Sequence, residues 1–441
     1  MRPFLLFSAL SIYLALSTEN AFGEIKELGD GNRIAEAGDK ETKRMNESFT
    51  WRYLSVLLGG IDEARERLQQ ITAAADAPAA RLHAGGELYI ASVREDFVSE
   101  GFVRSGGLML LKPYSSTIRL SEKDTVILGW TNSEPEKDMA LAQELKKTGA
   151  YIVGIGPRPE DKHSKLFLSC VNSFLESSFP VPSEVIKAFG GERYPAVSLQ
   201  NLVLLWTFTG ELVGALTRKG IMPTMYQSVL VTGARERNAR YLAHRFHEKH
   251  KVPPVPAGQL GRAYLKELEV CYRKLLDEEM NAIEEAARVC VRVRKGGHRI
   301  YAFLISHFPV HQWGAPGDPG YMHRLEVKSG ETPTNAKLQQ NLRQGDLFFF
   351  LGYYRRPTRE YKTARHAGAL VVEVITGTDE HKDSELVPDY RIRPKWPYGD
   401  SLVTVPGYDV KILPSSGIVQ SVIYWAVVGS MSAKAPPNHK E

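Results

Sequence analysis

The feature that most constrains this chain is that its two halves can be laid on each other in three places, in the same order. Ala79 to Ser92, "AARLHAGGELYIAS", runs alongside Cys290 to Phe303, "CVRVRKGGHRIYAF". In both, a helical pattern ends at a Gly-Gly pair and a strand pattern follows; glycine there suits a helix end that turns left-handed. Asp124 in "KDTVILGW" matches Asp346 in "GDLFFFLGY", and Pro135 and Pro357 follow at the same distance. "NLVLLWTFTGELVGAL" matches "QSVIYWAVVGSMSA", with Trp206 over Trp425 and Gly210 over Gly429, and Gly149 and Gly368 stand as far apart as that tryptophan pair. A duplication accounts for all three anchors. The alternative is two unrelated strand–helix–strand stretches, which share glycine and β-branched residues anyway.

Each half reads helix, Gly-Gly, strand, loop, strand, loop, helix, strand, late helix. The strands "ELYIAS", "DTVILGW", "AYIVGIG", "DLFFFLG" and "ALVVEVI" are unbroken apolar runs, the pattern of a parallel sheet covered on both faces. Strands alternating with helices predict right-handed crossovers and a doubly wound α/β layer. Ligands of such sheets sit beyond the C-terminal strand ends. That rule places Gly129 to Glu136 and Gly352 to Thr358 on the ligand rims of their halves. The 441 residues, 43% hydrophobic and 24% charged, are ordinary globular composition with room for two or three domains. The net charge of +5 is spread along the chain rather than gathered on one stretch, so no nucleic-acid partner is expected.

The start, "MRPFLLFSALSIYLALSTENAFGEI", has a basic residue, a mostly apolar run from Phe4 to Leu16 too short for a comfortable membrane span, and Ala21-Phe22-Gly23 with small residues at a cleavage spacing. It reads as a secretory signal peptide, hence export to a periplasm or the exterior. An uncleaved anchor, or a cytoplasmic start at Met45, is the alternative. No later stretch reads as a membrane span. Cys170, Cys271 and Cys290 are scattered and odd in number, so they read as buried thiols rather than a disulfide framework or a zinc site. The expected organisation is a signal peptide over 1–23, an extension over 24–54, domains over 55–220 and 269–432, a linker or helical segment over 221–268, and a disordered tail over 433–441.

"VILGWTNSEPEKDMALAQELKKTGAYIVGIG" follows the course of a sugar isomerase (SIS) domain: a strand, a Ser/Thr-rich loop of the type S-x-S-G-x-T-x-E, a helix, a Gly-Ala step and another strand. The chain resembles a tandem pair of SIS domains over most of 55–215 and 270–432. The implied fold is two doubly wound, flavodoxin-like parallel-sheet domains flanked by helices. Aligned through Pro135, Gly129 and Thr131 stand where the family has its two serines, Asn132 replaces the glycine and Glu134 the threonine, while Thr131 and Glu136 fit the pattern. In the second half "GYYRRPTRE" keeps little of it, and neither first-strand loop has the family's G-x-G-like start. The resemblance implies a sugar or sugar-derivative ligand. It also implies pairing through helices, met by a homodimer or by the tandem halves themselves.

Several residue groups are candidates for the site. Thr131, Asn132 and Ser133 precede a helix N-terminus, where free N–H groups and hydroxyls suit an anion or a polyol. Ser133 with Glu136 is equally a plain capping box. Glu134 repels a dianion, so this loop suits sugar hydroxyls better than phosphate. Arg355, Arg356 and Arg359 surround the matching helix start and could grip phosphate or carboxylate, or simply form a solvated face. "SHFPVHQWGAPGDPGYMH" holds His307, His311, Asp318 and His323, and aldose–ketose isomerisation needs a base and an acid of these types; Glu134 or Glu136 could serve as well. The same loop could be structural. His307 and His311 with Asp318 or His323 could also ligate a metal, but the spacing in a Pro/Gly loop is not that of one helix face, and no metal is expected. Arg235, in "TGARERNARY", could line a cleft between the halves or start a charged helix. His244, His247 and His250 read as one face of a solvated helix. Trp206 and Phe208 read as core or subunit interface. No G-x-x-x-x-G-K-[ST] or G-x-G-x-x-G occurs, so no nucleotide, flavin or nicotinamide cofactor is expected.

Three functions fit: an exported protein that binds a sugar or amino-sugar derivative, an active sugar isomerase, and an interaction protein that uses the fold as a scaffold.

Overall fold

The computed structural model describes residues 48–158, 163–305, 307–324, 335–376 and 387–434. The expected signal peptide, most of the extension and nearly all of the tail lie outside the described residues.

Helices α1 (Phe49–Glu66) and α2 (Leu68–His83) lead into the first sheet. That half contains β1 (Leu88–Ser92), α3 (Glu95–Gly101), β2 (Leu111–Pro113), β3 (Thr125–Gly129), α4 (Pro135–Lys147), β4 (Tyr151–Gly156), α5 (His163–Cys170), β5 (Ser173–Glu176), α6 (Ser183–Ala188) and α7 (Tyr194–Arg218). A connection containing α8 (Ala234–Tyr241) leads to α9 (Gln259–Lys274) and, through one π-helical turn, to α10 (Met280–Lys295). The second half then gives β6 (Ile300–Leu304), β7 (His323–Arg324), α11 (Asn335–Asn341), β8 (Leu347–Leu351), α12 (Thr358–His366), β9 (Leu370–Val374) and β10 (Tyr390–Ile392). The short pair β11 (Ser401–Val403) and β12 (Ile412–Pro414) and helix α13 (Ser416–Lys434) complete it.

Both sheets are five-stranded and parallel, in the orders β2-β1-β3-β4-β5 and β7-β6-β8-β9-β10. These are the same doubly wound order, with the switch point between the first and third strands of each half. The central strands β3 and β8 are buried at every position, which is why their sequences show no polar alternation.

The duplication extends to individual hydrogen bonds. Asp124 accepts the backbone N–H of Glu87 at 2.8 Å and of Ser121 at 2.7 Å; Asp346 accepts those of Arg299 at 2.9 Å and Arg343 at 2.8 Å. Each aspartate fastens the start of its central strand to the start of its neighbour. Asn201 on α7 donates to the carbonyl of Trp130 at 2.7 Å, and Gln420 on α13 donates to that of Gly352 at 2.7 Å. Both side chains pin the rim loop of their half to its late helix. Gly149 and Gly368, at φ +77° and +71°, end α4 and α12 in left-handed turns that a side chain would strain.

One hydrophobic core spans both halves, with Ile127 and Leu199 from the first and Phe349 and Trp425 from the second. Trp206 and Phe208 are core residues. The expectation that nothing after the leader is long and apolar enough to cross a membrane is corrected. Tyr194–Arg218 and Ser416–Lys434 both are by length and composition, and those stretches are 100% and 89% buried inside the fold. All three cysteines are buried and unpaired.

The histidine segment is not a helix. Past α8 the chain is irregular, because its side chains are used to tie the connection to the second half. His247 meets the Tyr408 hydroxyl at 3.0 Å, and His250 the Gly407 carbonyl at 2.8 Å. Arg237 grips Asp409 with two bonds of 2.7 and 2.8 Å.

A second tie is fully buried. Arg104, in the loop after α3, donates to Glu100 at 3.1 Å, Asp400 at 3.1 Å, Ser416 at 2.8 Å and the Tyr353 hydroxyl at 3.2 Å. Burial works against its charge, but Glu100, Tyr353 and Asp400 raise its pKa above the usual value. Two carboxylates share one guanidinium, and burial pushes Glu100 up to about 7 despite Arg104. Removing the arginine would leave both acids without their cation. Arg104→Met is expected to lose about 3–5 kcal/mol in urea denaturation, and Glu100→Gln in the same chain to recover part of it.

Candidate functional site

The first-half rim loop is shaped by its neighbours. Gly129 must be bare, since a Cβ would lie 2.4 Å from the Phe97 ring. Trp130 turns inward, 1% exposed, and packs on Phe167 with ring centroids 4.2 Å apart. Asn132 takes φ +59°, a conformation asparagine tolerates better than most residues. The Thr131 and Ser133 hydroxyls bond each other at 2.7 Å.

The expected Ser133–Glu136 capping box is not formed. Helix α4 begins at Pro135, with Glu134 at the cap position and no side-chain cap bond. Asp138, one turn into the helix, is 2% exposed. Burial raises its pKa to about 7, although the N–H groups of Asn132 and Thr131 oppose the shift.

In front of this loop lies a cleft of about 580 Å³. Its walls are Thr131 to Ser133, Pro157-Arg158 after β4, Glu176 to Pro180 after β5, and the segment Gly191–Tyr194 leading into α7, with Val197. Every wall except the last is a C-terminal strand end, as the sheet rule requires. Arg158 pairs with Glu176 at 2.8 Å. Burial works against the Glu176 charge, but Ser178, Arg158 and Arg67 bring its pKa below the ordinary carboxylate value. The charged walls are Arg158 and Arg193 against Glu176 and Glu192, a formal balance. Tyr194 donates its hydroxyl to the buried Asp96 behind the wall, and the Arg94 guanidinium lies 5.1 Å from the Tyr194 ring centre. Burial lifts Asp96 to about 6. Gln312 reaches Asp96 from the second half at 3.3 Å.

The structure distributes the sequence candidates as follows. Thr131, Asn132 and Ser133 line the cleft. Glu134 is beside it and pairs with Lys137, which lowers its pKa. His307 lies in the contact between the halves, its Nδ1 3.0 Å from the Ser99 carbonyl, and burial depresses its pKa to about 4. His311 is in a single 3-10 turn, and burial lowers its pKa too. Neither histidine is among the cleft residues. Arg356 is buried against Glu373, with Nη2 to Oε1 at 3.0 Å, and Tyr361 and Arg391 share the same carboxylate. Arg355 is exposed on the second-half loop, and Arg235 is exposed at the start of α8.

At the corresponding place in the second half, side chains from both halves meet. Tyr353, the counterpart of Thr131, stacks edge-on against Trp396 with centroids 6.3 Å apart. Arg104 and Asp400 converge at the N-terminus of α13, where Asp400 accepts the Ser416 N–H at 2.7 Å. Sequence reading missed Arg158, Glu176, Ser177, Ser178, Arg193 and Tyr194. The rim rule that found the β3 loop also covers the ends of β4 and β5, and would have found the first four.

Topology and internal repeat together define the class: a tandem pair of doubly wound, parallel-sheet α/β domains in one chain. No family model and no curated protein matches the sequence. Among solved structures, the chain is similar to a protein provisionally named a phosphosugar isomerase from Silicibacter pomeroyi, at 10% identity over 88% of this chain and 98% of that one, TM-score 0.43. It is similar to the C-terminal domain of glucosamine-fructose-6-phosphate aminotransferase from Francisella tularensis, at 11% identity over 86% and 94%, TM-score 0.47. A provisionally named sugar binding protein from Salmonella typhimurium is similar at 11% identity over 88% and 100%, TM-score 0.44. Likeness at this level assigns no ligand or activity to this chain.

Asp138 gives a pH signature. Its folded pKa of about 7 lies above the ordinary 3.8, so the folded state holds its proton more tightly than the unfolded chain. Its contribution to stability therefore falls as pH rises from about 4 to 7 and stays low above that. Asp138→Asn removes the slope. Thermal unfolding should find the variant close to wild type at pH 4 and more stable by about 1–3 kcal/mol at pH 8.

Proposed function

We propose that this chain binds a sugar or amino-sugar derivative in the first-half cleft, without isomerising it. The observation that carries the reading is the cleft itself: hydroxyls from Thr131, Ser133, Ser177 and Ser178 and balanced charges from Arg158, Arg193, Glu176 and Glu192 around one opening. Hydroxyls and paired charges match a polyol, which offers donors and acceptors together. A phosphate dianion would face Glu176 and Glu192 as well as the arginines, and gains less. Isomerisation needs a base poised near neutrality. Glu176 is held below the ordinary range by its partners, which makes it a weak base. Residues 1–23 read as a signal peptide, so the site is proposed to work outside the cytoplasm. Periplasmic or extracellular recovery of tagged full-length chain tests that part.

For the ligand, thermal shift of the chain from Glu24 on should respond to neutral sugars or amino sugars and not to their phosphates. At 100 times the dissociation constant the stabilisation is about 2.7 kcal/mol. Thr131→Ala should weaken the response about ten-fold or more. A response to phosphates alone, or none at all, would overturn the reading.

A further inference from the structure

Beside the polar cleft lies a second groove of about 450 Å³, and the two share Phe179 and Pro180 as a common wall. The second groove is apolar. Trp51, Val56 and Gly59 of α1 form one side, and Phe179, Pro180 and Pro182 the other. Trp51, Ser55, Gly59 and Glu63 recur every fourth residue, so they form one stripe along the helix. Trp51 is 36% exposed, a large aromatic surface left partly uncovered.

Gly59 sits in mid-helix, where glycine is disfavoured. A Cβ built on it would meet nothing within 4 Å, so neither packing nor backbone conformation requires the glycine. Its one visible effect is to leave the groove open. The shared wall is also held firmly. Arg67, at the α1–α2 junction, donates to the Glu176 carbonyl at 3.1 Å and to the Ser178 hydroxyl at 2.9 Å. The two cavities therefore keep a fixed relation across one ridge.

Resting on the binding reading above, we infer that the groove formed by Trp51, Gly59, Phe179 and Pro182 is a second subsite, which takes an aromatic or alkyl aglycone carried by the sugar held in the cleft. A flat apolar ring stacks on an indole face and loses water doing so. The ligand class is thus a glycoside with a polar head and an apolar substituent, rather than a free sugar.

The test compares p-nitrophenyl with methyl glycosides of glucose, galactose and N-acetylglucosamine by calorimetry on the chain from Glu24 on. The expected result is that for the sugar bound best, the aryl glycoside binds about ten-fold or more tightly than the methyl one. Gly59→Leu fills the groove with a better helix former from a position where a Cβ meets nothing within 4 Å; it should fold as wild type, keep methyl glycoside affinity and lose the aryl advantage. Trp51→Ala should lose it too. Equal affinity of the aryl and methyl compounds, or an aryl advantage that survives Gly59→Leu, overturns the subsite and leaves the cleft reading standing. No binding of either compound overturns both.

Discussion

Two helices without a polar face set the architecture. α7 and α13 are mostly apolar and buried on every side, so neither can lie on a protein surface against one sheet alone. Each has to be covered on every side. The fold meets that demand by letting the halves share a single core, with α1, α9 and α10 closing over the pair. Neither half could leave the other without exposing a helix's worth of leucine, valine and tryptophan to water.

Shared burial carries little directional information, and polar ties supply the register. Arg104 with Asp400, Arg237 with Asp409, and Gln312 with Asp96 each join a residue of the first half or connection to one of the second. Charged groups are costly to bury unless they meet partners, so each tie favours one arrangement of the halves and penalises others. The cleft depends on this arrangement indirectly. Tyr194, which lines it, bonds Asp96, and Asp96 is held in turn by Gln312 from the other half.

The sheets were legible because buried parallel strands need unbroken apolar runs, and Leu347 to Leu351 is such a run. The repeat was legible because Asp124 and Asp346 do the same work at the same place in each half. The rim loop at Thr131 was found for the same reason. Other readings failed where a side chain's partner lies far away in sequence. Nothing near Arg356 announces Glu373 as its buried partner, and nothing near His247 announces Tyr408. The capping box at Ser133 failed because the helix starts one residue later than the pattern implies, with Glu134 at the cap position. The long apolar helices were underestimated because a core helix shared by two domains needs no polar face, and composition alone does not separate it from a membrane span.

The packed second rim has a consequence of its own. In a symmetric pair of identical subunits every substitution appears twice, and two binding sites must change together. Here the two rims are encoded separately, and Tyr353, Trp396, Arg104 and Asp400 have turned one of them into a keystone. The chain is a pair of like domains written in one polypeptide, in which either rim can change without altering the other.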